Sequence, residues 1–350
     1  MKILNILITL FGVLTVVFFL FQVLPGDPAR MMMGQNENED QIEIINQKYG
    51  FDLPVFKQYL YYLNDLSIFS VYSKNELDFN FFYENKFKHK KLFETKNKYF
   101  ILKLPYLRES YQRRGVKVST IISNTFPNTV VLSVSSILIA IFSGIILGIF
   151  SALNNGSFLD HFIQFISTLG MSVPSFFSAI IFAWIFGFVL SDFTGLNMTG
   201  SLYELDDYGN EYNLKFKNLI LPSLVLGIRP IAVISMMMRN SMIEVLKKDY
   251  IITAYAKGLT TFQVIYRHCI KNSLNPVVTA LSGWFASLLA GSVFVEYIFG
   301  WNGLGREIVN SLNNLDVPVV IGAVLTVSFS FILINIFVDE IYKILDPRIK

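Results

Sequence analysis

Six stretches of this 350-residue chain are apolar over the length that crosses a lipid bilayer, and nothing else in the sequence restricts its fold as severely. A bilayer core of about 30 Å needs roughly 20 apolar residues of helix. Residues 3–26 contain no charge, nor do 119–159; Asp160 then separates that run from a third stretch, 161–191. The fourth, 219–238, is interrupted only by Arg229, the fifth covers about 276–295, and the sixth 317–338. The expectation is an all-α integral membrane protein with six transmembrane helices. Residues 1–26 form the first, and 119–350 form a core with the other five.

Composition points the same way. Charged residues are 16% of the chain and hydrophobic ones 53%, whereas soluble domains carry about a quarter charged residues. A soluble chain of this length would have more apolar surface than it could hide. The net charge of +3 is spread without a single basic patch, so nucleic acid is not an expected partner. Cys269 is the only cysteine, which excludes an intrachain disulfide and a thiolate cage. His89, His161 and His268 have no ligand spacing, so no metal site is expected.

The first stretch could be a cleaved leader, but its n-region is Lys2 alone and its apolar run is long. Pro25-Gly26-Asp27-Pro28 after it is a rigid turn and not a small-residue cleavage site, so it is read as a retained helix. Orientation follows from short basic loops. The segment 239–275 holds Arg239, Lys247, Lys248, Lys257, Arg267 and Lys271 against Glu244 and Asp249, and the C-terminal end adds Lys343, Arg348 and Lys350. Both belong in the cytoplasm, and with six crossings the N-terminus joins them. Residues 27–118 then form a large external loop domain. Its first part has Ile42, Ile45, Phe56, Tyr59, Leu60 and Leu63 at helical spacing, with Pro54 opening the second helix. Its second part, about 67–104, is rich in Asn, Lys, Phe and Glu; so many aromatics argue for a small folded subdomain.

The segment of about 240–275 reads as an exposed helix, turn and helix between two spans. Ser241 with Glu244, and Thr260 with Gln263, have the spacing of capping boxes. Gly258 has the character of a helix C-cap. Pro276 should start the fifth crossing and push Asn275 out of the helical region. Ala254 and Gly258, four apart, fall on one face and admit another protein closely, with Tyr250, Leu259 and Phe262 around them.

Catalytic motifs are missing. There is no G-x-x-x-x-G-K-[ST] loop, and the glycines of Gly300-Trp301-Asn302-Gly303-Leu304-Gly305-Arg306 read as a tight re-entrant turn. H-E-x-x-H and G-x-S-x-G are absent. The spans hold almost no acids or histidines of the kind ion-coupled carriers use. Arg229 is the exception: it either faces a cavity and attracts an anionic group of a passing substrate, or snorkels or pairs with a carbonyl before Pro230. Met236, Met237 and Met238 would make a soft wall or plain packing.

The run Asp249-Tyr250-Ile251-Ile252-Thr253-Ala254-Tyr255-Ala256-Lys257-Gly258-Leu259, followed by His268, Asn272 and Pro276, resembles the EAA loop of ABC importer permeases. The match is to the B-type permease subunit of the dipeptide/oligopeptide/nickel branch. Leu24-Pro25-Gly26-Asp27-Pro28, Pro127-Asn128-Thr129, Leu221-Pro222-Ser223, Ser241 through Leu246, Trp301-Asn302-Gly303-Leu304-Gly305 and Asp346-Pro347-Arg348-Ile349 also match, in order along nearly the whole chain. Ile252 stands where the loop's signature Glu or a basic residue is expected. Met236 and Asn240 stand where relatives often carry Arg and Ser, and 67–104 is longer than usual.

The resemblance implies the type I ABC importer permease fold and a coupling helix that docks on an ATPase. Tyr250, Ala254, Ala256, Lys257, Gly258 and Leu259 would make that contact, and Arg229, Met236 and Met237 would line the substrate pathway. It implies a second homologous permease subunit, two ATP-binding-cassette ATPase subunits and an extracytoplasmic substrate-binding protein, in a bacterial inner membrane. The chain itself would bind no cofactor; ATP and Mg would sit on the ATPases. Peptides are the expected cargo, with nickel or another small solute as the alternative. A secondary carrier or a membrane scaffold remains open from the residues alone.

Overall fold

The computed structural model describes residues 2–23, 26–33, 38–76, 78–84, 86–206 and 211–345. Leu24 and Pro25 of the first turn, the Asp346-Pro347-Arg348-Ile349 motif and Lys350 lie outside the described residues, as does the side chain of Lys343. The chain forms two compact units, Met1–Asn124 with Glu307–Ser328, and Thr125–Arg306 with Phe329–Lys350.

The first unit opens with α1 (Lys2–Val23), an apolar helix. Leu14 and Phe18 are buried with Tyr59, Tyr62 and Ile321. Leu7, Phe11, Val16 and Leu20 stay exposed, which suits a surface facing lipid. Asp27 accepts the N–H of Ala29 at 2.9 Å and starts α2 (Pro28–Met33). Asn38 caps α3 (Glu39–Tyr49), and Gly50 ends it at φ +71°. Pro54 is the N-cap of α4 (Val55–Leu66). The two helices expected from Ile42, Phe56 and their neighbours are therefore present as α3 and α4.

Residues 67–104, to which the sequence reading assigned no elements, carry an antiparallel sheet. Strands β1 (Phe69–Ser73), β2 (His89–Glu94) and β3 (Lys98–Lys103) are ordered β1-β3-β2. Tyr72, Phe82 and Ile101 form its core. Phe93 opposes Phe100 with ring centroids 4.3 Å apart, a stabilising cross-strand pair. Asp65, at the end of α4, accepts the Tyr72 hydroxyl at 2.8 Å and pairs with Arg108 Nε at 2.7 Å. The buried Lys103 ammonium donates to the carbonyls of Asp65 and Ser67.

Helix α5 (Val118–Leu153) contributes residues 125–153 to the second unit. It ends at a turn with Gly156 at φ +77°, and Ser157 caps α6 (Phe158–Ser172), so the second apolar stretch stops short of 159. The third stretch is not one straight crossing. α6 and α7 (Ser175–Trp184), the latter prolonged by a π-helical turn Ile185–Val189, bend by 109°. Pro174 is the cause: Val173 adopts the extended conformation (φ −77°, ψ 130°) that a residue before proline prefers.

A short helix α8 (Ser191–Thr194) and the strand pair β4 (Tyr203–Leu205) and β5 (Tyr212–Leu214) lead to α9 (Lys217–Leu246). α10 (Asp249–Ala256), α11 (Thr261–Val264), α12 (Ile270–Gly291) and α13 (Val293–Phe299) follow. α9 is the centre of the unit and packs on α6, α7, α12 and α13. Its approach to α5 depends on glycine: a Cβ at Gly148 would lie 2.6 Å from Met238 Cβ, and one at Gly144 2.8 Å from Ile234 Cβ. Small residues at such crossings let membrane helices pack closely.

Helix α14 (Leu304–Asn313) and the start of α15 (Val317–Leu345) return to the first unit over 307–328. There Asp316 accepts the Ser110 hydroxyl and the Tyr111 N–H, and Arg113 pairs with Glu307 at 2.7 Å.

Among the described residues each of the six apolar stretches is mainly helical, the third with its break at Val173 and Pro174. Val118–Leu153, Lys217–Leu246 and Val317–Phe337 are each long and apolar enough to span a bilayer. The bent pairs Phe158–Ser172 with Ser175–Val189, and Thr261–Val278 with Gly283–Gly291, qualify together, and Ile6–Gln22 is a shorter apolar helix. The protein is a multi-pass membrane protein.

Candidate functional site

The turn between α10 and α11 is built from local signals. The backbone of Gly258 sits at φ +81°, a conformation that costs a residue with a Cβ roughly 1–2 kcal/mol. Its N–H bonds the Tyr255 carbonyl at 2.9 Å, and the Leu259 N–H bonds that of Ala254 at 3.3 Å, closing the end of α10. Thr260 then caps α11 with a full capping box: Thr260 N–H donates to Gln263 Oε1 at 2.9 Å and Gln263 N–H to Thr260 Oγ1 at 3.4 Å.

Two expected boundaries are corrected. Ser241 and Glu244 lie inside α9 and cap nothing, because Met238, Met242 and Val245 continue the helical period of buried residues past them. Pro276 lies inside α12, and Asn275 stays helical. Packing on α9 holds that helix through the proline, at the cost of one backbone hydrogen bond.

The predicted docking residues divide between two faces. Ala254 is 5% exposed and packs inward with Ile251 and Val264, so it does not share the open face with Gly258. Tyr250, Ala256, Lys257 and Gly258 are exposed and Leu259 is half-buried. A Cβ at Gly258 would meet nothing within 4 Å. Sequence reasoning gave too little weight to the apolar groups beside them. Ile252 is 62% exposed and Phe262 76%, and Phe262 stacks on the exposed ring of Tyr266. Asn272 Nδ2 donates to the Tyr250 hydroxyl at 3.2 Å and holds that ring against α12. The sequence already places Phe262 beside this face; the exposure of Ile252, where a Glu or basic residue was expected, is what the structure adds.

Arg229, Met236 and Met237 all lie on α9, and Met236 and Met237 follow Arg229 by seven and eight residues, about two turns, so that Met236 falls on its side of the helix. Met237 is exposed and Met236 half-buried, while Met238 is fully buried packing. Arg229 lines a cavity of about 60 Å³ with Ser175 and Ser178 of α7 and Trp284 and Ser287 of α12. It is exposed and makes no hydrogen bond or ion pair with any described residue.

The ends of α5, α6 and α9 are joined by a pair that sequence reasoning missed. Asp160 is buried and accepts Arg239 Nε at 2.6 Å and Nη2 at 2.7 Å. Ser151, Gly156 and Gln164 fill its remaining acceptor positions. The partners are 79 residues apart, and neither is marked by a local pattern.

The turn at 300–306 is closed on itself. Trp301 is fully buried, and its Nε1 donates to the Asn128 carbonyl at 3.1 Å. Asn128 Nδ2 donates to the Asn302 carbonyl at 2.8 Å, and Leu304 N–H to Thr129 Oγ1 at 2.8 Å. The buried Glu296 accepts the N–H groups of Gly305 (2.7 Å) and Arg306 (3.2 Å). The segments 127–129 and 301–305, far apart in the sequence, are thus one structural joint.

Comparison with known proteins places this architecture. The profile described as "Binding-protein-dependent transport system inner membrane component" matches residues 144–350, and its N-terminal counterpart matches 1–95. The di/tripeptide transport system permease protein DppB of Pseudomonas aeruginosa is 31% identical over 357 residues, covering 98% of this chain and 95% of that one. Dipeptide permease DppB of Escherichia coli is 32% identical over 365 residues, with 98% and 95% covered. DppB of Bacillus subtilis is 31% identical over 342 residues, with 98% and 94% covered. Among solved structures, the inward-facing MetNI methionine ABC transporter matches with a TM-score of 0.52 at 14% identity, covering 65% of this chain and 97% of that chain. The fold is that of a type I ABC importer permease. With both family profiles matched and full-length relatives at this identity, the chain belongs to the inner-membrane permease components of binding-protein-dependent transport systems.

Proposed function

We propose that this chain is the permease subunit of an ATP-driven importer of di- or oligopeptides and forms half of its transmembrane pathway. The observation that carries this reading is full-length similarity to permeases named for dipeptide transport. A second permease would complete the pathway, two ATPase subunits binding ATP and Mg would drive it, and an extracytoplasmic binding protein would deliver cargo. The N- and C-termini would be cytoplasmic, placing the basic 240–275 segment on the ATPase side.

The coupling contact falls on the exposed side of α10 and α11. Tyr250, Ala256, Lys257, Gly258 and Leu259 contact the ATPase, joined by Ile252 and Phe262. Ala254 acts from beneath by seating α10 on the core. Apolar side chains this exposed at a helical turn are disfavoured in water and fit a partner groove. Closure of the ATPases pushes on α10, and the apolar cluster that α10 and α12 share with α9 carries the motion to the spans. Arg229, in its small cavity and without an ionic partner among the described residues, draws the carboxylate of a passing peptide, with Met236 and Met237 as the adaptable wall.

Uptake of a labelled dipeptide by cells lacking the chromosomal copy, with and without the restored chain, tests the reading. Restored uptake that competes with unlabelled peptides is the expected result. Restored uptake of nickel without any peptide uptake would overturn the cargo assignment.

A further inference from the structure

Helix α4 belongs by sequence to the external loop region, yet it packs against two membrane-spanning segments. Tyr59 and Tyr62 are buried with Leu14, Phe18 and Ile321, and Leu63 and Leu66 pack on the same cluster beside Leu325. The Tyr59 hydroxyl meets Thr15 Oγ1 at 2.6 Å, and its ring centre lies 5.2 Å from that of Phe19. These partners all fall inside the apolar stretches Ile6–Gln22 and Val317–Phe337. At the rise of an α-helix, Phe18 and Thr15 lie about 8 and 12 Å along α1 from its end at Val23. Ile321 and Leu325 lie about 6 and 12 Å into α15 by the same measure. Two spans therefore set α4 at one depth, below the ends of both.

The side chains of α4 divide into three stripes at helical spacing. Tyr59, Tyr62 and Leu66 face the spans. Gln58, Tyr61 and Asp65 face the rest of the unit. Gln58 Nε2 donates to the carbonyls of Phe51 (3.2 Å) and Leu53 (2.8 Å), the Tyr61 ring meets that of Phe79, and Asp65 pairs with Arg108. Phe56, Leu60 and Leu63 make the third stripe, nearly opposite the second around the helix. Its Phe56 is 65% exposed and its Leu60 47%. The helix carries two charges: Asp65, engaged with Arg108, and Lys57, exposed in the first turn.

An apolar flank turned away from the polar contacts of its own unit, at the depth of two spans, has one solvent that suits it. We propose that α4 is an interfacial helix whose Phe56 and Leu60 are immersed in the acyl chains of one leaflet. Helices of this kind bury their apolar face roughly 5–10 Å into the boundary between headgroups and chains, which matches the depth fixed by α1 and α15. Val16 and Leu20 of α1 are exposed over the same depth, so the lipid-facing surface of that span continues onto α4. The stem of Lys57 lies along the lipid and its ammonium reaches the phosphates. Asp65, at the other end, accepts the Tyr72 hydroxyl of β1, so the anchored helix holds the sheet of 67–104 at the membrane surface. The orientation of the termini proposed above makes this the outer leaflet; the lipid contact itself does not depend on the importer reading.

Site-directed spin labelling tests this on the full chain with its co-purifying subunits, in nanodiscs of phosphatidylethanolamine and phosphatidylglycerol. Phe56→Cys and Leu60→Cys each receive a nitroxide, while Cys269 is fully buried and stays unlabelled, as checked on the unaltered chain. Substitutions at exposed sites seldom disturb folding, so both variants are usable. Leu20→Cys on α1 supplies the lipid reference, and Lys96→Cys between β2 and β3 the water reference. Labels at positions 56 and 60 should collide more with oxygen, which concentrates in lipid, than with a water-soluble nickel chelate, as at position 20; the ratio inverts at position 96. Collisions dominated by nickel at both positions would place α4 in water above the bilayer. Few collisions with either reagent would show a protein, such as a second permease, seated on this flank. Either result overturns the proposal, and both are read whether or not the chain carries peptides.

Discussion

The second unit contains two short turns that each begin with a left-handed glycine, Gly258 at φ +81° and Gly300 at φ +65°. Around Gly300 the chain has satisfied itself. Trp301 and Leu304 are fully buried, Glu296 takes two backbone N–H groups, and a Cβ at Gly303 would lie 2.7 Å from Thr129 Oγ1. Around Gly258 the backbone is equally well capped, yet the side chains are left outside: Ile252 and Phe262 are exposed and a Cβ at Gly258 meets nothing. Two turns with the same backbone device therefore do different work. One fastens helices of this chain together, and the other leaves a well-capped turn with its apolar side chains exposed.

Substitutions separate the closed turn from the open one. Trp301→Ala should have the largest effect on stability, about 3–5 kcal/mol by the usual cost of removing a buried aromatic, seen as a lower melting temperature in detergent. Arg239→Ala should follow. It strands the buried Asp160 carboxylate and costs about 3 kcal/mol, also measured by thermal unfolding. An unchanged melting temperature for either variant would remove the contrast between closed and open regions.

A smaller effect sharpens the comparison from the first unit, where Lys103 is buried as thoroughly as Trp301's surroundings but carries a charge. Burial pushes its ammonium down to about 8 from an ordinary 10.5. Between those values the unfolded chain holds the proton and the folded chain does not, so stability should rise as pH goes from 8 to 10.5. Lys103→Met should flatten that rise in denaturant titrations across the window. The smallest change in stability is expected at the open turn. Phe262→Ser should alter it by no more than about 0.5 kcal/mol, as for exposed sites generally, while reducing ATPase recovery.

Legibility in the sequence followed the same division. Gly258, Thr260 and Gln263 could be read because capping acts over three or four residues and needs no distant partner. Ser241 and Glu244 had the same spacing and misled, since the buried series Met238, Met242 and Val245 outweighs a cap that a helix interior does not need. Pro174 breaks the third stretch and Pro276 does not break α12, and only the packing around each decides that. The sheet at 67–104 was hidden because lysines alternate irregularly with aromatics there. Asp160 with Arg239, Trp301 with Asn128 and Arg108 with Asp65 are long-range pairs, and no local pattern announces them.

The most direct measurement is co-purification of the tagged chain from its own cells in mild detergent, compared with Gly258→Arg. The arginine projects from an open turn at a backbone cost of roughly 1–2 kcal/mol, small enough that the variant should fold and keep a second permease while losing any ATPase subunits recovered with the unaltered chain. ATPases recovered equally with both, or with neither, would contradict the assignment of this turn as the coupling surface.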